Sequence, residues 1–512
     1  MRSCEPALIL VLALSAPVLA QEHTGDHPVP EKLGKVTFST TCAPGEQASF
    51  DRAVALLHSF AYSAAEEAFR GVAQKDPECA MAGWGQAMSG FHQIWDDRIT
   101  PAALERGRGV ILWAQKITRG SAREREYVAA LAPMFLEAET RAYDSRLQGY
   151  ERAMGALAAH YPDDPEARIF YALSLLATAS PGDRTHQHQK QAVDLLEPLH
   201  RQFPEHPGVI HYLIHAYDNA EMAPRGVEVA REYARIAPSA PHALHMPSHI
   251  FTRLGMWKDS IASNLAARAA ARAQGDTGEE LHAMDYLVYA YLQLGRNADA
   301  AAVLAQLREM NSLEAQSFKV GYAATAMPVR YAVERRAWAE AAKCSAPEGT
   351  LPWVAALAVW ARAVGLARSG NPAGARTETA SLEALHQKSL DRGDAYWTVQ
   401  IRIQLLEASA WVSQASGKAA EALGELRRAA DAEDGMEKRP VTPGPMVPAR
   451  EQLADLLLEQ NRAQEALTEY ESALRTSPGR RGALAGALEA AQRAGNDSKI
   501  KMYRSALEGA GH

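Results

Sequence analysis

Cysteine is nearly missing from this chain. Its 512 residues include only four, at Cys4, Cys42, Cys79 and Cys344. No two stand in C-x-x-C spacing, which removes the common redox and zinc signatures. The sequence also lacks a G-x-S-x-G elbow, a P-loop and an H-E-x-x-H pair, so no common catalytic motif points to a chemistry. A basic surplus is absent: 54 Lys and Arg stand against 61 Asp and Glu, for a formal net charge of -7. A nucleic-acid partner, which wants a basic face, is therefore not expected. After the first twenty residues no stretch is apolar enough for a membrane helix. Aromatic residues are modest at 7% and Ala is abundant, which suits closely packed helices better than sheet.

The start of the chain reads as a signal peptide, residues 1–20. Arg2 gives a short positive start, and Leu8 to Leu19 is an apolar run too short to span a bilayer comfortably. Val18-Leu19-Ala20 places small residues where a signal peptidase cuts, so cleavage is expected after Ala20. No Cys follows the cut to carry a lipid, and there is no twin-arginine pair. The mature protein is expected in the periplasm or outside the cell. That compartment permits disulfides. Cys42 precedes the first helix pair and Cys79 follows it, so a Cys42–Cys79 staple is expected, leaving Cys344 as a lone, buried thiol. If Gln21 is the new terminus, His23 is third in the chain, and the amine, two amides and that imidazole could wrap Cu(II) or Ni(II).

A chain this long exceeds one ordinary core, but a repeat array escapes that limit because each unit packs only on its neighbours. Leu453, Ala454 and Leu457 form one apolar helix face, Gln460-Asn461-Arg462 breaks it, and Ala466, Tyr470 and Ala473 form a facing stripe closed by Pro478. The punctuation recurs at Ala65, Phe69 and Pro77, at Ala153, Leu157 and Pro165, and at Ala192, Leu196 and Pro204. Further copies carry Gly295 with Ala300, Leu304 and Leu307, Gly370 with Ala375, and Gly417 with Ala422 and Leu426. This pattern resembles the tetratricopeptide repeat, with its period of about 34 residues. The strings around Leu56–Phe60, Trp84–Met88, His211–His215 and Pro247–Phe251 resemble those of secreted bacterial repeat proteins of no established activity. The resemblance implies an all-α, tetratricopeptide-like helix-pair solenoid, a superhelical array with some degenerate units at 96–145 and 310–350. The expected organisation is an N-terminal extended segment over 21–45, an array with a His-rich groove over 46–320, and a C-terminal array over 321–512. The latter contains a Pro-rich insertion at 433–448, long for a repeat loop and able to cross an open face.

The remaining anomaly is histidine. Five of the seventeen lie between His211 and His249, and His282 follows. Aligning Gly226 and Pro238 with Ala466 and Pro478 starts one unit at Pro207, with core positions Ile210, Leu213, Ile214 and Tyr217. His211, His215 and Asp218 then share a stripe beside that core. The next unit starts at Pro241 and puts His242, His245 and His249 on one stripe. A third, with core residues Met284, Leu287, Val288 and Tyr291, carries His282 and Asp285. Pro247 complicates the middle unit, since a helix beginning there would leave His242 and His245 on a loop. In the repeat family this stripe lines the concave groove. Adjacent helices lie about 8–10 Å apart, so imidazoles and carboxylates from two of them can meet at one ion. That donor set suits Zn, Cu, Fe or Mn. His58 and Trp84 would also face the groove, far from the cluster, whereas His92, His160, His200 and His386 read as ordinary hydrogen-bonded residues.

Two functions fit. The first is a binding or scaffold module holding a protein or peptide partner in its groove, with the metal as structure or cargo. The second is a metal-dependent enzyme, hydrolytic or oxidative, with an open position on the ion.

Overall fold

The computed structural model describes residues 31–94 and 98–511. The expected signal peptide, its cut after Ala20 and the Gln21–His23 motif lie outside the described residues. From Pro44 the described chain is a succession of helices, and it contains no strand. Each helix packs mainly on its neighbours in sequence, as in a tetratricopeptide-like solenoid.

Local chemistry sets the helix boundaries. Ser121 and Glu124 form a reciprocal capping box at the start of Ala122–Leu136. The Asp164 side chain accepts the backbone N–H groups of Glu166 and Ala167, and Asp276 accepts that of Glu279. Gly275 ends Trp257–Gln274 at φ 71°, a conformation that favours glycine. Inside the units, Ala454 and Ala466 are fully buried beside Leu453, Leu457 and Tyr470, so small residues let the paired helices approach closely. Ile210, Leu213, Ile214 and Tyr217 are buried as the repeat register requires, and so are Met284, Leu287, Val288 and Tyr291.

The superhelix curls far enough to touch itself. Helix Gln47–His58 packs against helix Pro207–Tyr217, and Thr277–Gln293 meets Arg481–Arg493. At the second junction Arg480 is fully buried between Glu451 (2.8 Å) and Glu334 (2.9 Å), and also reaches the Tyr289 hydroxyl at 3.1 Å.

Two non-helical segments seal the array. Residues 32–43 run along it, with Phe38 packed edge-on against Phe50 and Trp84. Cys42 and Cys79 form a disulfide. Residues 435–448 cross the inner face as a strap: Arg330 donates to the carbonyls of Pro445 (2.8 Å) and Gly444 (3.2 Å), and the Tyr286 hydroxyl donates to Pro440 (3.2 Å). Cys344 is half-buried rather than enclosed, and burial pushes its thiol up to about 11, so little thiolate is present at neutral pH.

Candidate metal centre

Six histidines converge where the curl and the strap meet. His211 and His215 come from helix Pro207–Tyr217. His242 and His245 lie on the single helical segment Pro241–His245, and His249 on Pro247–Arg253. Met246 joins those two with helical dihedrals (φ -53°, ψ -36°), so Pro247 starts a new hydrogen-bonded run without turning the chain. His242 and His245 are therefore helical, not on a loop, and the i, i+3, i+7 spacing survives the proline. His282 comes from Thr277–Gln293.

The stripe does not line an open groove. His215 is the most accessible of the six at 6% and the others are at 2% or less. The curl of the superhelix and the strap across its inner face close what the repeat pattern alone leaves open. The position expected for His58 is also corrected. That residue is not far from the cluster: the contact between the first helix and Pro207–Tyr217 brings the His58 carbonyl to 2.6 Å from His211 Nδ1. Trp84 faces no groove either; it is fully buried among Phe38, Phe69, Tyr127 and Phe170.

The imidazoles form two trios. In one, ligand nitrogens of His211, His215 and His242 all lie within 4.8 Å of one another. In the other, those of His245, His249 and His282 do the same. Hydrogen bonds fix which nitrogen carries the proton in His211, His242, His245 and His249. The Asn264 amide nitrogen donates to the Ser260 carbonyl at 2.7 Å, so its oxygen is the atom facing His245 Nδ1 at 2.6 Å. That oxygen can only accept, so His245 Nδ1 holds the hydrogen. His249 Nδ1 donates to Asp218 Oδ2 at 2.9 Å. Both Nε2 atoms then present lone pairs, and they face each other at 3.1 Å. His211 Nδ1 donates to a backbone carbonyl, so its Nε2 is likewise bare, 3.0 Å from His215 Nε2. His215 Nδ1 has no hydrogen-bond partner, so in the neutral ring the proton sits on Nε2, which donates to His211 Nε2. His242 Nδ1 donates to Glu279 Oε2 at 3.3 Å.

The opposed lone pairs of His245 and His249 repel unless a proton or a metal cation lies between them. Burial pushes His211, His215, His245 and His282 well below the ordinary imidazole range, and neighbouring imidazoles push the same way. His249 is held at about 4 by burial, with Asp218 opposing. A proton is therefore a poor bridge at neutral pH, and a cation fits. Metal–nitrogen bonds of about 2.0–2.1 Å at tetrahedral angles separate two ligand nitrogens by about 3.3 Å. The observed 3.0 and 3.1 Å approach that spacing. Donation of the second ring N–H to a carbonyl, amide or carboxylate is also how metal-bound histidines are oriented.

The carboxylates expected as ligands stand elsewhere. Asp218 follows the last helical residue, Tyr217, and its oxygens are taken by Arg253 (2.8 Å), Lys438 (2.9 Å) and His249. Burial alone would raise its pKa, but Lys438 and Arg253 hold it well below the usual range. Asp285 lies 3.8 Å from Arg330, and burial raises its carboxyl to about 6. Neither joins a trio; Asp218 orients one. Two cavities reach the first trio: one of about 550 Å³ includes His215, Asp218 and Lys438 in its walls, and one of about 660 Å³ includes His242 and Glu279.

A third cluster shows what a satisfied set looks like. His58 Nε2 and His206 Nε2 donate to the two oxygens of Glu166 at 2.9 and 2.8 Å. Their other nitrogens accept from the Tyr212 hydroxyl and the Val209 N–H. Here hydrogen bonds account for every ring nitrogen. His206, Asn264 and Glu279 escaped the sequence reading. His206 directly before Pro207 marks a helix start, but nothing local signals the other two. His92, His160 and His200 each bond a carbonyl or carboxylate outside the cluster, and His386 sits 3.9 Å from Glu383.

No protein-family model matches the chain, and no curated protein does so either. Solved structures similar to it include the tetratricopeptide domain of P58(IPK), at 13% identity over 89% of this chain and 99% of that one, with a TM-score of 0.22. Another is the monomeric IFIT1 mutant with Gppp-AAAA, at 13% identity over 84% and 90% of the two chains and a TM-score of 0.36. The fold, as its own helix packing shows, is a tetratricopeptide-like array of paired helices. Its particular mark is a buried chamber of six imidazoles.

Proposed function

We propose that this chain is an exported helical-repeat binding protein that holds a transition-metal ion in its histidine chamber. The observation that carries the reading is the pair His245 and His249. Both Nδ1 atoms are committed as donors, and both Nε2 lone pairs converge at 3.1 Å. The donor set is imidazole, which suits Zn or Cu better than the carboxylate-rich environments of Mn. A protein or peptide partner would dock on the concave surface that such arrays use for recognition, on the parts of it left open beside the enclosed histidines. The cavity reaching His215 favours a second reading, a metal-dependent enzyme with a ligand position open to solvent.

The test is a thermal melt of chelator-stripped protein with and without added Zn(II) or Cu(II). A ligand at a hundred times its Kd stabilises the fold by about 2.7 kcal/mol. Wild-type protein should gain several degrees, His249→Ala should gain far less, and His386→Ala should match wild type. Unchanged melting in wild type for both metals removes the proposal. Azide or cyanide shifting the spectrum of the copper-loaded protein would favour the enzyme reading.

A further inference from the structure

The two trios adjoin. Across the boundary the His215 and His249 rings are 5.8 Å apart and His242 and His245 are 5.9 Å apart. Within the trios five ring pairs stand between 4.2 Å (His245–His282) and 6.4 Å (His249–His282) apart. The six rings therefore form one continuous set with two foci. Each focus has an aromatic wall. Phe60 packs on His211, His215 and His242 at 4.4, 5.8 and 5.3 Å. Tyr286 packs on His245, His249 and His282 at 4.7, 5.4 and 5.3 Å.

Charge narrows the choice of ion. Neither trio includes a carboxylate. The nearest acids are already matched: Asp218 by Arg253 and Lys438, Glu279 by Lys319, and Asp285 by Arg330. Two dications would bring four uncompensated charges into a site where every imidazole is at least nine-tenths buried, and burying unpaired charge is costly. Two monovalent ions would bring half that. Among ions that imidazole binds well, copper is the one with an accessible monovalent state.

We infer that the chamber holds two copper(I) ions, one in the trio His211, His215 and His242 and one in the trio His245, His249 and His282, close enough to interact. This rests on the metal-binding reading above and specifies number, oxidation state and ligands. Established two-metal sites place their ions about 3.5–4 Å apart, a range compatible with trios that share ring contacts.

The experiment is an anaerobic titration of stripped full-length protein with Cu(I) against a chromophoric copper(I) chelator. Uptake should stop at two equivalents per chain. X-ray absorption of the loaded protein should show Cu(I) with a second copper within about 4 Å. His282→Gln should take up one equivalent of Cu(I) and lose that copper–copper vector; circular dichroism checks its fold. Uptake of one equivalent by wild type, or two equivalents with no copper–copper vector, overturns the pair while leaving metal binding intact. No uptake of Cu(I), and none of Zn(II) in a parallel titration, overturns both.

Discussion

Lys438 Nζ lies 2.9 Å from Asp218 Oδ2, across 220 residues of chain. Through that contact the strap over 435–448 grips the carboxylate that orients His249. Lys438→Met removes one of two cations on a buried acid, while Arg253 stays at 2.8 Å. A charge-assisted hydrogen bond contributes about 1.5–3 kcal/mol. The urea midpoint should fall accordingly with an unchanged slope. A change within about 0.5 kcal/mol would mean that the strap behaves as an ordinary surface loop.

Asn264 touches His245 but is not itself a ligand in this account. Its oxygen fixes the proton on Nδ1 and aims Nε2 into the chamber. Loss of such an orienting partner typically weakens metal affinity by about 10–100-fold. Asn264→Ala should show that loss in a chelator competition. Asn371→Ala, which removes an exposed helix cap, should leave affinity unchanged.

The spacing of the repeats made the helix pairs legible, because a buried face recurs every three or four residues: Leu453, Ala454 and Leu457 on one helix, Ala466, Tyr470 and Ala473 on the next. The same spacing put His211 beside His215 and His245 beside His249. It failed at Asp218, where the helix ends one residue earlier and the side chain turns to Arg253. It also could not show the burial of the site. The His58 carbonyl reaches His211 across 153 residues and Tyr286 meets the strap across 154. Contacts that long depend on the accumulated curl of the superhelix, which no local period encodes.

Gly208 gives a direct check of that curl. A Cβ there would stand 2.4 Å from His58 Nδ1, on the face where the first helix meets Pro207–Tyr217. Gly208→Ala should destabilise by about 1–3 kcal/mol as an overpacked contact and loosen metal by shifting the His58 carbonyl. Gly71 meets nothing within 4 Å. Gly71→Ala should be neutral, or stabilise by up to about 1 kcal/mol through helix propensity. Paired chemical denaturation curves decide it.

Glu166 carries the acid sensitivity of this junction. Burial would raise its carboxyl, but His58 and His206 outweigh burial and hold it at about 2. The unfolded value is about 4.3. A pKa depressed on folding adds stability above the unfolded value, and that stability is lost as pH falls toward the folded value. The contribution is on the order of 3 kcal/mol. Wild type should therefore exceed Glu166→Gln in stability at pH 6, and the gap should close between about pH 4.3 and 2. A gap constant over that window would contradict the assignment.

Metal content is the most direct test of the histidine chamber. Untagged protein, purified without chelators, should carry at least one equivalent of copper or zinc per chain by elemental analysis. His245→Ala/His249→Ala protein prepared alongside should carry almost none while keeping its helical spectrum. Wild-type protein holding under a tenth of an equivalent of every transition metal, and taking up none when copper and zinc are supplied, would contradict the central claim.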